Sequence, residues 1–211
     1  MNNAVATPVQ NTCRKSGHTK DPFETHCWRN ESLTNPYQVF AAIFAEAHVH
    51  DFRKLVKQLV SSASGAGVYK GESPGDVLLY MKLIRSLIKA AHALKREKNS
   101  AIVINRDDLF NKKHYCSHYV SADAWKEFPR HLSEKEYGNP YLVFQKFFRY
   151  QSLTNWLHCW EQVVDGAFCG DGSFAPGAPF KVYSHLAKLV EAAHLIDVRE
   201  EEFTYRHEAI T

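Results

Sequence analysis

Asn35-Pro36-Tyr37-Gln38-Val39-Phe40 recurs as Asn139-Pro140-Tyr141-Leu142-Val143-Phe144. The correspondence runs on without gaps: Phe44 with Phe148, Phe52 with Trp156, Gln58 with Gln162, Val60 with Val164, Ala63 with Ala167. A glycine-bearing loop follows each stretch, Ser64-Gly65-Ala66-Gly67 in the first and Cys169-Gly170-Asp171-Gly172 in the second. Next come Leu87-Ile88-Lys89-Ala90-Ala91-His92 and Leu189-Val190-Glu191-Ala192-Ala193-His194. Three matched blocks in one order, at nearly one spacing, point to an internal duplication.

Each copy reads as three helices. The first begins at Pro36 or Pro140, where Asn35 and Asn139 can accept a hydrogen bond from an orphan N–H of the first turn. Proline loses nothing there, because its missing N–H would have had no partner. Tyr37, Phe40, Ile43, Phe44 and Ala47 then fall on one helical face, as do Tyr141, Phe144, Phe147 and Phe148. The second helix is expected to start near Val49 and Leu153 and to stop at the glycines. The third is expected over about 75–95 and about 178–198, with Pro74 and Pro179 in or near the first turn.

The fold class expected is all-α: two tandem pseudo-symmetric three-helix units forming one bundle, about six main helices in all, with an irregular connector. Residues 1–20 read as a flexible tail, 21–98 as unit 1, 99–133 as the connector and 134–211 as unit 2. A unit of roughly 65 residues with one apolar face is marginal alone. Two such units can bury those faces against each other and share one core. Phe44 and Phe148, and Phe52 and Trp156, should then occupy related environments. Within the connector, Ala101-Ile102-Val103-Ile104 suggests a short extended piece and Asp107-Asp108-Leu109-Phe110 a helix start. Phe128-Pro129-Arg130-His131 echoes Phe23-Glu24-Thr25-His26.

Composition narrows the function classes. The net charge is +3 with 23% charged residues, which supplies no general field for nucleic acid or an anionic membrane. The five cysteines form no CxxC pair and suit reduced thiols in the cytoplasm. Met1 to Gln10 has neither a basic start nor an apolar run of about seven, so no secretory leader is expected. Nothing approaches about 18 consecutive apolar residues, so no membrane span is expected either.

Several constellations invite chemistry. His92 and His194 end matched blocks and would form a symmetric pair if both faced one site. A histidine near a helix C-terminus also serves the helix dipole. Arg85 and His92, seven positions apart, resemble the Arg-x(4–6)-His motif of HEPN-type ribonucleases, which are helical bundles. The resemblance implies a pair that binds and cleaves RNA phosphodiesters. It covers two residues, and the second copy has Ala187 where Arg85 would align. His114, Cys116 and His118 lie close enough to offer two or three ligands to zinc. Cys27 with His26, or Asp107 with Asp108, would have to complete that set through the fold. His48-Val49-His50 sits at a kink, where a capping or turn role is expected. Lys95-Arg96-Glu97-Lys98 and Lys112-Lys113-His114, the latter followed by Tyr115, Tyr119 and Trp125, are short basic stretches interrupted by acidic residues. There is no GxSxG, Walker loop or Rossmann fingerprint.

The expectation is therefore a cytoplasmic, non-enzymatic interaction or regulatory protein. Its partner is expected to be a protein, with a small molecule as a second option and nucleic acid disfavoured. No cofactor is expected beyond zinc at the His114 set. The rival readings are a metal-dependent hydrolase, a HEPN-like ribonuclease through Arg85, His92 and His194, or a small-ligand binder in a cleft on the pseudo-two-fold axis.

Overall fold

Proline and capping side chains open the helices where the sequence places them. In the computed structural model, which describes residues 21–65, 67–71, 73–96, 106–116, 124–170 and 179–208, α1 is Pro36–Glu46. Asn35 is extended, and its side chain accepts from the Tyr37 N–H at 3.0 Å. Helix α2 is Val49–Ser64, and α3 is Pro74–Leu94 with Ser73 accepting from the Asp76 N–H. Short turns over Arg106–Asp108 and Lys112–His114 lead towards α4 (Ala124–Glu127) and α5 (Glu134–Gly138). Helices α6 (Tyr141–Tyr150), α7 (Leu153–Cys169) and α8 (Pro179–Glu208) complete the chain. The all-α class holds: no strand occurs among the described residues. No described helix is long and apolar enough to cross a membrane.

Two local expectations need correction, the N-cap of α6 and the end of α8, whereas α2 and α7 stop at glycines as expected. Asn139 does not cap α6 with its side chain; it closes α5 through its own N–H to Lys135 O, and α6 starts at Tyr141. Asn139 leaves helical geometry between the two helices, at φ −136° and ψ 90°, and Pro140 re-enters it at φ −64° and ψ −22°. Gly65 ends α2 in an extended conformation, whereas Gly170 ends α7 with φ 64°. That left-handed turn suits glycine, and a Cβ there would also meet Val68 Cγ2 at 2.7 Å. Helix α8 runs ten residues past the expected stop, to Glu208. The Ala101–Ile104 stretch and His118 lie outside the described residues.

One main core draws on α1, α2, α3, α6, α7 and α8. Helix α2 packs on α7 and α8, α1 on α3 and α8, α3 on α7, and α6 on α8. Trp156 stacks on Phe147 with ring centres 4.0 Å apart, and its indole N–H donates to Phe147 O at 2.9 Å. The Trp160 indole N–H donates to Met81 O. Both indoles are fully buried, each contributing on the order of 2–3 kcal/mol, and neither leaves its polar atom unpaired. Between α1 and α6, Phe40 meets Phe144 at 6.0 Å and the Tyr141 hydroxyl donates to the Tyr37 hydroxyl at 3.2 Å. A smaller cluster of Tyr115, Tyr137 and Leu195 joins the connector to α8.

Candidate functional site

The connector is tied down by a seam of buried charge. Arg53 on α2 is 7% exposed and Glu191 on α8 is 1% exposed. Arg53 Nη1 donates to Glu191 Oε1 at 2.9 Å and to Phe128 O at 2.8 Å, while Nη2 reaches Lys126 O. Glu191 also accepts from the N–H groups of Arg130 and His131 and from His131 Nδ1, all at 2.8–2.9 Å. Burial acts to raise the Glu191 pKa, but those donors outweigh it, so the carboxyl lies below its usual value. In the neutral His131 ring this leaves Nε2 as an acceptor for the Tyr183 hydroxyl, 3.0 Å away. Carboxylate, imidazole and hydroxyl thus stand in the order of an acid–base relay. Burial and the Glu191 charge push the Tyr183 phenol up, which keeps it protonated at neutral pH.

One helical turn along α8, a second centre forms around Glu127. His194, 3% exposed, places Nε2 3.1 Å from Glu127 Oε2 and 3.0 Å from Tyr115 O. His48 stands at the N-cap position of α2, as expected, without a side-chain cap bond, and its Nδ1 lies 3.5 Å from Glu127 Oε1. Burial opposes ionisation of Glu127. The hydrogen bond and charge of His194, with His48 and His50, nonetheless hold its pKa below the ordinary value. Below it, Arg199 donates to Tyr137 O at 2.7 Å and to His114 O at 3.1 Å. Glu136 takes Lys146 and Lys188, each at 2.8 Å, and sits at a pKa of about 2, its bonds outweighing burial.

The residues singled out from the sequence do not converge. Arg85 is held by Glu24 and Glu161, whereas His92 stands against Phe148 with Lys95 beside it; they share no partner. Burial first, then Lys95 and Arg96, lowers the His92 pKa. His194 belongs to the Glu127 centre, so His92 and His194 do not form one site. His114 pairs with Asp108 at 2.9 Å, and the Cys116 thiol faces Ala124 O, its pKa raised by burial and by Glu127. Among the described residues no group of three or more His, Cys, Asp or Glu side chains is arranged to hold a metal ion.

The connector also carries a groove of about 610 Å³, lined by Leu109, Phe110, Phe128, Arg130, Leu132 and Tyr137 among others. Phe110 is 58% exposed and Trp125, in edge contact with it at 5.8 Å, is 60% exposed. Both rings also meet Phe128. Among the described residues, the charged side chains lining the groove are Arg130 and Glu134, one of each sign.

No family model, curated protein or solved structure matches the chain. Sequence reasoning passed over Arg53, Glu127, His131, Tyr183 and Glu191 as a group. A signal existed for two of them. Arg53 interrupts the apolar row Val49, Val56, Val60, and Glu191 is set among Leu189, Val190, Ala192 and Ala193. A charge inside an apolar stripe calls for a partner.

Proposed function

We propose that this is a non-enzymatic interaction protein, built from a duplicated helical unit, that holds an apolar segment of a partner protein in the connector groove. The observation that carries the reading is the pair of large rings, Phe110 and Trp125, left more than half exposed beside a concave apolar surface. Contiguous exposed aromatics mark binding surfaces more often than solvent-facing faces. The occupant fits best as a short segment with two or three apolar anchors that meet the exposed rings.

The duplication is supported by contacts that pair matched positions. Tyr37 meets Tyr141 and Phe40 meets Phe144. Phe44 faces His194 while Phe148 faces His92. Lys89 on α3 and its match Glu191 on α8 each pair with a residue ahead of the repeat, Glu24 and His131, although Glu24 aligns with Pro129 and not with His131. In this reading the connector is the part added to an otherwise two-fold bundle, and the ionic seam is what holds it rigid enough to present a groove.

A displayed-peptide selection against the full chain tests the function. It should enrich sequences with apolar anchors whose binding falls at least about tenfold for Trp125→Ser. An exposed residue can be replaced at a cost within about 0.5 kcal/mol, so the variant should melt with the parent. Enrichment of nothing, or of peptides indifferent to Trp125→Ser, overturns the reading.

A further inference from the structure

The segment ahead of α1 brings a thiol, an imidazole and a carboxylate into line. Cys27 Sγ lies 3.6 Å from His26 Nε2, and His26 Nδ1 lies 2.7 Å from Asp21 Oδ2. Cys27 is exposed and the His26 side chain is 61% exposed, whereas the Asp21 side chain is 6% exposed. The Asp21 carboxyl also accepts from the N–H groups of Phe23 and His26, at 3.2 and 2.8 Å. Burial acts to raise its pKa, but these donors and the His26 ring outweigh it and hold the carboxyl at about 2. An ionised carboxylate only accepts, so His26 Nδ1 carries a proton. In the neutral ring Nε2 then keeps its lone pair, and that nitrogen is the one beside the sulfur.

Buried neighbours fix this arrangement while the sulfur faces solvent. Phe23 is buried in the main core. The buried Thr25 hydroxyl accepts from the Leu33 N–H at 2.8 Å, and the Trp28 indole donates to Ser86 Oγ on α3 at 2.8 Å. The second copy repeats the bonding of the imidazole. By the echo of Phe23-Glu24-Thr25-His26 in Phe128-Pro129-Arg130-His131, His26 matches His131 and Cys27 matches Leu132. His131 also sets Nδ1 on a carboxylate, Glu191, and Nε2 beside an acidic proton, that of the Tyr183 hydroxyl. There the partner is a part-buried phenol; in the first copy it is an exposed thiol. Cys169, the other exposed thiol among the described residues, has no described imidazole beside it.

We propose that Cys27 is a site of thiol–disulfide exchange with small disulfides, with His26 as its general base and Asp21 as the group that orients that base. The Cys27 thiol gives its proton to His26 Nε2, and the thiolate attacks one sulfur of the disulfide. The new bond to Sγ forms as the old S–S bond breaks. The displaced thiolate takes the proton from His26 and leaves as a thiol, so Cys27 is oxidised and half of the small disulfide is reduced. Exchange places charge on sulfur alone, so it asks for a base and an open approach and not for oxyanion donors. The site is independent of the peptide groove and stands or falls separately.

The reduced full chain, incubated with hydroxyethyl disulfide at about pH 7 and read cysteine by cysteine by peptide mass spectrometry, tests it. Cys27 should take up the mixed disulfide at least about tenfold faster in the parent than in His26→Gln, while Cys169 reacts equally in both. The pH profile of the parent needs no variant. Between about pH 6 and 8 an unassisted thiol gains about tenfold per unit, as its thiolate fraction does, whereas Cys27 should gain less than about threefold. Asp21→Asn keeps an acceptor for the backbone N–H groups but no longer fixes the Nδ1 proton. It should slow Cys27 and steepen its profile to that of an unassisted thiol; a purely structural Asp21 would leave the profile as in the parent. Equal Cys27 rates in the parent and His26→Gln, or a parent profile as steep as that of an unassisted thiol, overturns the proposal.

Discussion

His92 and His194 end matched sequence blocks and meet matched partners. The His92 ring stands edge-on to Phe148 at 4.8 Å, and the His194 ring stands edge-on to Phe44 at 5.0 Å. What surrounds them differs. His92 is partly exposed near the end of α3, with Lys95 Nζ 2.6 Å from its Nε2 and no carboxylate partner among the described residues. His194 is in mid-helix, roofed by the connector, with the buried carboxylate of Glu127 against it. Equal ring packing with unequal electrostatics shows that the helical scaffold sets where the imidazole goes. The segment laid over it sets what charge it must answer.

The largest expected effect breaks this comparison outright. His194→Leu removes the hydrogen-bonded partner of buried Glu127, leaving His48 at 3.5 Å and the charge of His50, and should destabilise the fold by about 3 kcal/mol, because a poorly compensated buried charge costs far more than a lost pair contributes. His92→Leu should cost under about 1 kcal/mol, since a partly exposed ring with no counter-ion loses little beyond packing. Urea denaturation of both variants reads the difference. Equal losses would mean that Glu127 does not distinguish the two sites.

A smaller effect sharpens the shared part. Phe44→Leu and Phe148→Leu each remove one ring edge from a partly buried position and should cost similar amounts, about 1–2 kcal/mol. The same denaturation series checks this; a gap wider than about 1 kcal/mol would show that the two ring contacts are not equivalent.

The smallest effect is in pH dependence. His92 is depressed below the ordinary imidazole value of 6.5, so the unfolded chain takes up the proton first and stability is lost as pH falls below about 6.5. Glu127 is depressed below 4.5, so its contribution is present above 4.5 and is lost only as pH falls through its folded value. His92→Gln should therefore flatten the slope of stability between pH 7.5 and 5.5 and leave the acid limb unchanged. Glu127→Gln should do the reverse, beyond its overall cost. Denaturation midpoints across the pH range separate the two.

Much of the helical framework was legible because its signals are local. Asn35 with Pro36, Ser152 ahead of Leu153 and Pro74 mark starts that depend only on neighbouring backbone. Asn139 misled because α5, five residues long and unnoticed, already occupies the approach to α6. The candidate sites were far less legible. Arg85 looked like half of a motif with His92, yet its guanidinium is taken by Glu24 and Glu161 from other elements. Arg53 and Glu191, which do meet, stand 138 residues apart. The aromatic residues of the groove were visible as a composition, but not the fact that Phe110 and Trp125 stay outside while Tyr115 and Tyr137 go in.

The order and period of the residues alone determined an all-helical chain, the starts of most of its long helices and which face of each is apolar. Those properties follow from hydrogen bonds and side-chain spacing within a turn or two of backbone. Which charges are buried, which cation answers each of them and which rings remain in solvent were decided only when α2, α8 and the connector came together. Coulombic and desolvation energies depend on distances through space, and the linear chain does not contain those distances.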